Sequence, residues 1–122
     1  MGKLVIRKTA TGFKFDLKAA TGQTVATSEV YETEAACRRG AESVRKNAQA
    51  AKLEDQTAED TQTVTNPKFE LYQDKAGEYR FRLKARNGEI IATSEGYKTK
   101  TSCENGIESV RKNALDAEVV FQ

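Results

Sequence analysis

Four cations stand at alternate positions of one short segment: Arg80, Arg82, Lys84 and Arg86, interleaved with Tyr79, Phe81, Leu83 and Ala85. A period of two is the mark of a strand with one buried face, so the four cations are expected to share the other face. Lys14 and Lys18 hold corresponding places around Phe13, Phe15 and Leu17 and add to that face. An open sheet face carrying Arg and Lys can track a phosphate backbone. Single-stranded nucleic acid also calls for aromatic stacking, and only Tyr72 is placed to point outward. Asp16 and Glu70 lie on adjoining segments, and cross-strand charge pairing is the plainer use of such residues.

The other constellations point to structure more than to chemistry. Ser28-Glu29 before Tyr31, and Ser94-Glu95 before Tyr97, set a hydroxyl beside a carboxylate. The chain has no histidine, which removes Ser-His-Asp and Cys-His catalysis and leaves too few soft ligands for tetrahedral zinc. Glu42 with Arg45 and Lys46, copied as Glu108 with Arg111 and Lys112, has the makings of an anion site or an acid–base pair. Their spacing favours a simpler reading. Glu42→Lys46 and Glu108→Lys112 are i,i+4 pairs, each stabilising a helix by roughly 0.2–0.5 kcal/mol. Cys37 and Cys103 fall at equivalent positions and are expected as reduced thiols on a buried helix face. No catalytic residue, metal or cofactor is expected.

These residues sit in a chain written twice. Ala26–Thr33 recurs as Ala92–Thr99, and Glu42–Ala48 recurs unchanged as Glu108–Ala114. A repeat this close means one supersecondary unit in two copies that bury against each other. Each copy opens with strands. Turns are predicted at Asp74–Gly77 and Thr21-Gly22, and Asn87-Gly88 signals a type I′ hairpin before a returning strand at Glu89–Glu95. Thr33 and Thr99 are placed to cap helices. The first helix then carries Ala36, Cys37, Gly40, Ala41, Val44 and Ala48 on one face; the second carries Cys103, Gly106, Ile107, Val110 and Ala114. A glycine in each stripe predicts close approach of backbone there. Val119-Val120-Phe121 reads as a final strand. The stretch with Glu54, Asp55, Glu59 and Asp60, ending at the only proline, Pro67, reads as an acidic linker.

The 122 residues suit one domain, with 31% charged residues and a formal net charge of +2. That near-balance argues against strong polyelectrolyte character. No apolar run approaches the roughly 20 residues of a membrane helix. The apolar stretch near the N-terminus is too short for a signal peptide, so the chain reads as cytoplasmic.

The run Gly77–Ile91, together with Ser94-Glu95-Gly96-Tyr97 and Cys103–Val110, resembles the YegP-like family of small bacterial and archaeal proteins, over essentially the whole chain. The resemblance implies β-β-β-α-β units, in tandem or as a dimer of single copies. It implies one continuous antiparallel sheet with helices on one face and the last strand of each unit exchanged into the other. It implies no established biochemical function. The first copy departs from the family pattern at Val30, before Tyr31, and at Arg38-Arg39, before Gly40.

The expected fold is therefore α+β: tandem β-β-β-α-β repeats forming one antiparallel sheet with two helices on one face and exchanged C-terminal strands. Repeat one spans 1–56, the acidic linker 57–67 and repeat two 68–122. The expected function is a non-enzymatic binding or interaction module that uses the helix-free sheet face, with Lys14, Lys18, Arg80, Arg82, Lys84 and Arg86 as binding candidates. Its partner is expected to be a macromolecule, and the chain a monomer or weak dimer. The alternative is single-stranded nucleic acid or another polyanion bound along Arg80–Arg86. A small enzyme without histidine chemistry, joining Glu108, Arg111 and Tyr97 in a deep pocket, comes third.

Overall fold

The computed structural model describes residues 2–122. Each repeat supplies three strands, a helix and a fourth strand: β1 (Lys3–Lys8), β2 (Phe13–Lys18), β3 (Thr24–Thr27), α1 (Glu34–Ala50) and β4 (Lys52–Asp55), then β5 (Lys68–Gln73), β6 (Tyr79–Lys84), β7 (Ile90–Thr93), α2 (Lys100–Ala114) and β8 (Glu118–Phe121). All eight strands join one sheet in the order β4-β5-β6-β7-β3-β2-β1-β8. The repeats meet at its centre, where Thr27 of β3 stands opposite Thr93 of β7. Half one of the sheet is β8-β1-β2-β3, and half two is β4-β5-β6-β7.

The period of two builds the core. Leu4, Ile6, Phe15 and Leu17 in half one, and Phe69, Leu71, Phe81 and Leu83 in half two, are fully buried beneath the helices. The helices answer with Cys37, Gly40, Ala41, Val44 and Ala48 on α1, and Cys103, Gly106, Ile107, Val110 and Ala114 on α2. Thr33 and Thr99 cap them: each side-chain oxygen accepts from the backbone N–H three residues on, at 3.1 Å.

The helix glycines make room for rings, where backbone was expected. A Cβ on Gly106 would stand 2.6 Å from the Tyr97 hydroxyl and 3.0 Å from Phe81, and Gly40 meets Tyr31 in the same way. Tyr31 and Tyr97 thus pack between strand and helix, each stacked on a core phenylalanine. The paired Ser-Glu residues are also structural. Ser28 and Ser94 are buried; each hydroxyl accepts from the N–H of Phe15 or Phe81 at 2.9 Å and donates to the next carbonyl.

Two local expectations are corrected. Asn87-Gly88 does not form a type I′ turn, because among the described residues only glycines have positive φ. Gly88 (φ 88°) donates to the Ala85 carbonyl, and Ala85 donates to Glu89, the pattern of a type I turn followed by a glycine bulge. The loops at Gly22 and Gly77 repeat it. The sheet is also mixed at its margins. The exchange holds, since β4 joins β5 and β8 joins β1, but both of these pairs are parallel. A parallel pair cannot be closed by a tight turn; it needs a crossover of about a dozen residues. The segment 56–67 between β4 and β5 is that crossover.

Candidate binding face

Registers across the sheet decide which side chains share the helix-free face. In half two, Glu54 stands beside Glu70, which faces Arg82, while Lys68 faces Lys84 and Tyr72 faces Arg80. In half one, Val120 stands beside Val5, which faces Asp16; Lys18 faces Lys3, and Arg7 faces Lys14. The two halves use this common frame differently.

In half two the cations are engaged. Arg80 Nε donates to Asp74 at 2.6 Å, Arg82 Nε donates to Glu70 at 2.5 Å, and Lys84 Nζ lies 3.4 Å from the same Glu70. The Arg82 guanidinium also lies 4.4 Å over the Tyr72 ring, so the one outward aromatic is occupied as well. Arg86 falls outside the ladder. β6 ends at Lys84, and Arg86 lies exposed in the turn set by Gly88.

Beyond this row lies a cluster that sequence reasoning missed. Lys68 Nζ sits 2.8 Å from Glu54 and 3.2 Å from Glu70. Glu54 is 4% exposed, Glu70 3% and Lys68 8%, although all three lie on the side without helices. The crossover closes over this corner: Val64 N–H donates to Glu54 at 3.0 Å, and the Gln56 amide donates to it at 2.6 Å. Asn66 reaches the β6–β7 turn, 3.4 Å from where a Cβ on Gly88 would stand. The Gln56 amide and the Lys68 ammonium hold the Glu54 carboxyl well below its ordinary value, to about 2. Burial pushes Glu70 up, but donors on Arg82 and Lys68 outweigh it and keep Glu70 low. Alternation around Lys68 and Glu70 was the available signal; the seat of Val64 over Glu54 had none.

In half one Asp16 accepts from Arg7 Nε at 2.9 Å and from the Thr27 hydroxyl at 2.7 Å. Lys14 and Lys18 have no carboxylate within 4.0 Å among the described residues, and neither does Lys3 on β1. Lys3, Val5 and Arg7 alternate in the same way as the strand at Arg80, which places Lys3 on this face. Lys3 and Lys18 are directly opposite, an arrangement of like charges that costs stability in the free protein.

The remaining constellations do not converge. Glu108 lines a groove of about 440 Å³ with Lys112 and Asn113, Tyr97 lines an adjoining one of about 200 Å³ that shares Asn105 and Ser109, and Arg111 lines neither. Arg111 Nη1 donates to the Ala51 carbonyl at 2.7 Å, beyond the end of α1, with its guanidinium 5.0 Å from the Phe69 ring. Its Nε lies 3.3 Å from Glu108, close enough for an ion pair but without the angle of a hydrogen bond. The helical pairs are Glu42–Arg45 and Glu108–Arg111, at i,i+3, in place of the expected lysine partners. Both thiols are free and buried; burial, with Glu104 nearby, pushes Cys103 up to about 11 and burial raises Cys37. A thiol so placed is largely protonated at neutral pH. Among the described residues no group of three or more His, Cys, Asp or Glu could hold a metal, and no helix is long and apolar enough to cross a membrane.

The family model for a domain of unknown function, DUF1508, matches the chain twice, over residues 9–55 and 74–120. A UPF0339 protein of Mannheimia succiniciproducens is 39% identical over 102 residues, covering 84% of this chain and 77% of that protein. A UPF0339 protein from the 5′ region of the ptx operon of Stutzerimonas stutzeri is 69% identical over 48 residues, covering 39% of this chain and 43% of that one. The alignment thus spans less than half the length of that relative. In structure the chain is similar to YegP of E. coli, described as a protein of unknown function, with a TM-score of 0.79, 31% identity, and coverage of 99% of this chain and 92% of that one.

Proposed function

Because the chain belongs to the DUF1508 family of YegP-like proteins, which brings a fold and no assigned chemistry, we propose that it is a non-enzymatic binding module acting through the half-one part of its helix-free sheet face. The contrast between the halves carries this reading. Arg80, Arg82 and Lys84 are held by Asp74 and Glu70, whereas Lys3, Lys14 and Lys18 have no carboxylate within 4.0 Å among the described residues. Free cations on a helix-free surface favour an anionic partner, which they steer and position.

The test is capture of partners by the immobilised chain. Lys14→Glu/Lys18→Glu is expected to lose them, while Arg38→Glu/Arg39→Glu on the helix layer retains them. Retention of every partner by the sheet-face variant would sink the reading. A polyanion along Arg80–Arg86 is the weaker alternative, since three of its four cations are already engaged. It requires affinity for heparin that falls steeply with salt and is lost on changing Arg82 and Arg86. An enzyme using Glu108, Arg111 and Tyr97 draws no support, because Arg111, though near Glu108, is turned to the Ala51 carbonyl, and Glu108 and Tyr97 line different grooves.

A further inference from the structure

The molecule already holds a segment of its own against its helix-free face, turning at 56–60 before it runs back toward β5. Residues 56–67 lie over the β4–β5 corner of half two, anchored where Val64 N–H and the Gln56 amide meet Glu54. The pseudo-equivalent corner of half one, β8–β1, carries no such segment among the described residues. Its side chains have changed in step. Where half two has Glu54 and Glu70, half one has Val120 and Val5; where half two has the buried Lys68, half one has an exposed Lys3. A seat that receives backbone N–H with carboxylates has become a seat with an apolar floor and a rim of Lys3, Lys14 and Lys18.

We propose that the β8–β1–β2 face seats an extended acidic peptide segment of a partner protein, in the manner in which half two seats its own crossover. This rests on the reading of the helix-free face as the binding surface. Acidic side chains on the peptide supply the counter-ions that Lys3, Lys14 and Lys18 lack, and they relieve the repulsion between Lys3 and Lys18. Apolar side chains between them lie on Val120 and the edge of Val5. A peptide fits better than single-stranded nucleic acid. The outward residues Lys3, Val5, Arg7, Lys14, Asp16 and Lys18 include no aromatic on which a base could stack.

The experiment titrates the isotope-labelled full chain with two probes: a synthetic decapeptide with a central Val-Thr-Val flanked by Glu and Asp, and an oligothymidylate. Peptide-induced amide shifts are expected on β8, β1 and β2. Affinity is expected to fall roughly tenfold or more in Lys3→Glu/Lys14→Glu/Lys18→Glu, and by less in the neutral Lys3→Gln/Lys14→Gln/Lys18→Gln, with native spectra in both. Tighter binding of oligothymidylate at the same lysines overturns the peptide assignment and leaves the sheet face as the binding surface. Failure of the peptide to bind overturns the assignment alone. Shifts confined to α1 and α2 with both probes remove the peptide assignment and the sheet-face reading together.

Discussion

At Lys68 a cation is enclosed between two carboxylates, while its counterpart Lys3 stands exposed, opposite Lys18 and in register with Glu118 but beyond ion-pair distance of any carboxylate among the described residues. Enclosed charges are costly unless each has its partners, and losing one partner of such a pair costs about 3–5 kcal/mol. Glu54 takes up its proton near pH 4.5 in the unfolded chain and near 2 in the folded one. Depressed folded values mean stability that is complete above the unfolded pKa and lost as pH falls through the folded one. Urea unfolding should therefore show stability declining from about pH 4.5 toward 2, with Glu70 contributing in the same direction. Lys68→Met should lower stability near neutrality by about 3 kcal/mol and make the acid decline smaller, because Glu54 without the cation is depressed less. An unchanged urea midpoint in that variant would mean the cluster adds nothing.

The helices are fitted to the sheet through a tyrosine slipped under a glycine. Gly→Ala on an exposed helix gains up to about 1 kcal/mol in propensity. At Gly106 the added methyl meets Tyr97 and Phe81, and overpacking of this kind costs about 1–3 kcal/mol. Gly106→Ala is therefore expected to lower the melting temperature. Tyr97→Phe removes the 2.6 Å contact and should recover part of the loss in a double-mutant cycle. Additive effects would show that ring and helix do not press on each other. The glycine in each apolar stripe was visible in the sequence. That its neighbour is a ring from the strand end depends on the angle at which the helix crosses the sheet, and no local pattern encodes that angle.

At the scale of the molecule each repeat completes the other. β4 leaves repeat one to pair with β5, β8 leaves repeat two to pair with β1, and Arg111 and Lys100 of α2 reach Ala51 and Asp55 of repeat one. Residues 1–56 or 68–122 alone must leave the outer flank of β1 or β5 unpaired. Each fragment is expected to unfold with a midpoint that rises with its own concentration, as copies exchange strands. Mixing the two should restore the stability of the whole chain. A fragment whose midpoint is independent of concentration would show that the exchange is dispensable. The cross-repeat contacts are unequal: Arg111 pairs with Glu108 on its own helix and also donates to Ala51 of repeat one, whereas its counterpart Arg45, among the described residues, pairs only with Glu42 on its own helix.

Repetition and periodicity by themselves determined the strands-then-helix order of each repeat, the buried stripes, the Thr33 and Thr99 caps and the side of the sheet on which the basic residues lie, but not β4, whose Glu54 and Asp55 read as linker. Local rules suffice for these, because a strand alternates and a helix turns whatever surrounds it. The destination of the last strands came from likeness to a known family. Only the tertiary structure decided which cations are free. Arg82 reads from the sequence as the centre of a basic ladder and is instead tied to Glu70, in register on another strand; Lys14 and Lys18 read as accessories and are left open. Ion pairing is set by contacts between residues far apart in the chain, and the laying of residues 56–67 over Glu54 follows from a parallel strand pair that the turn signals could not foretell.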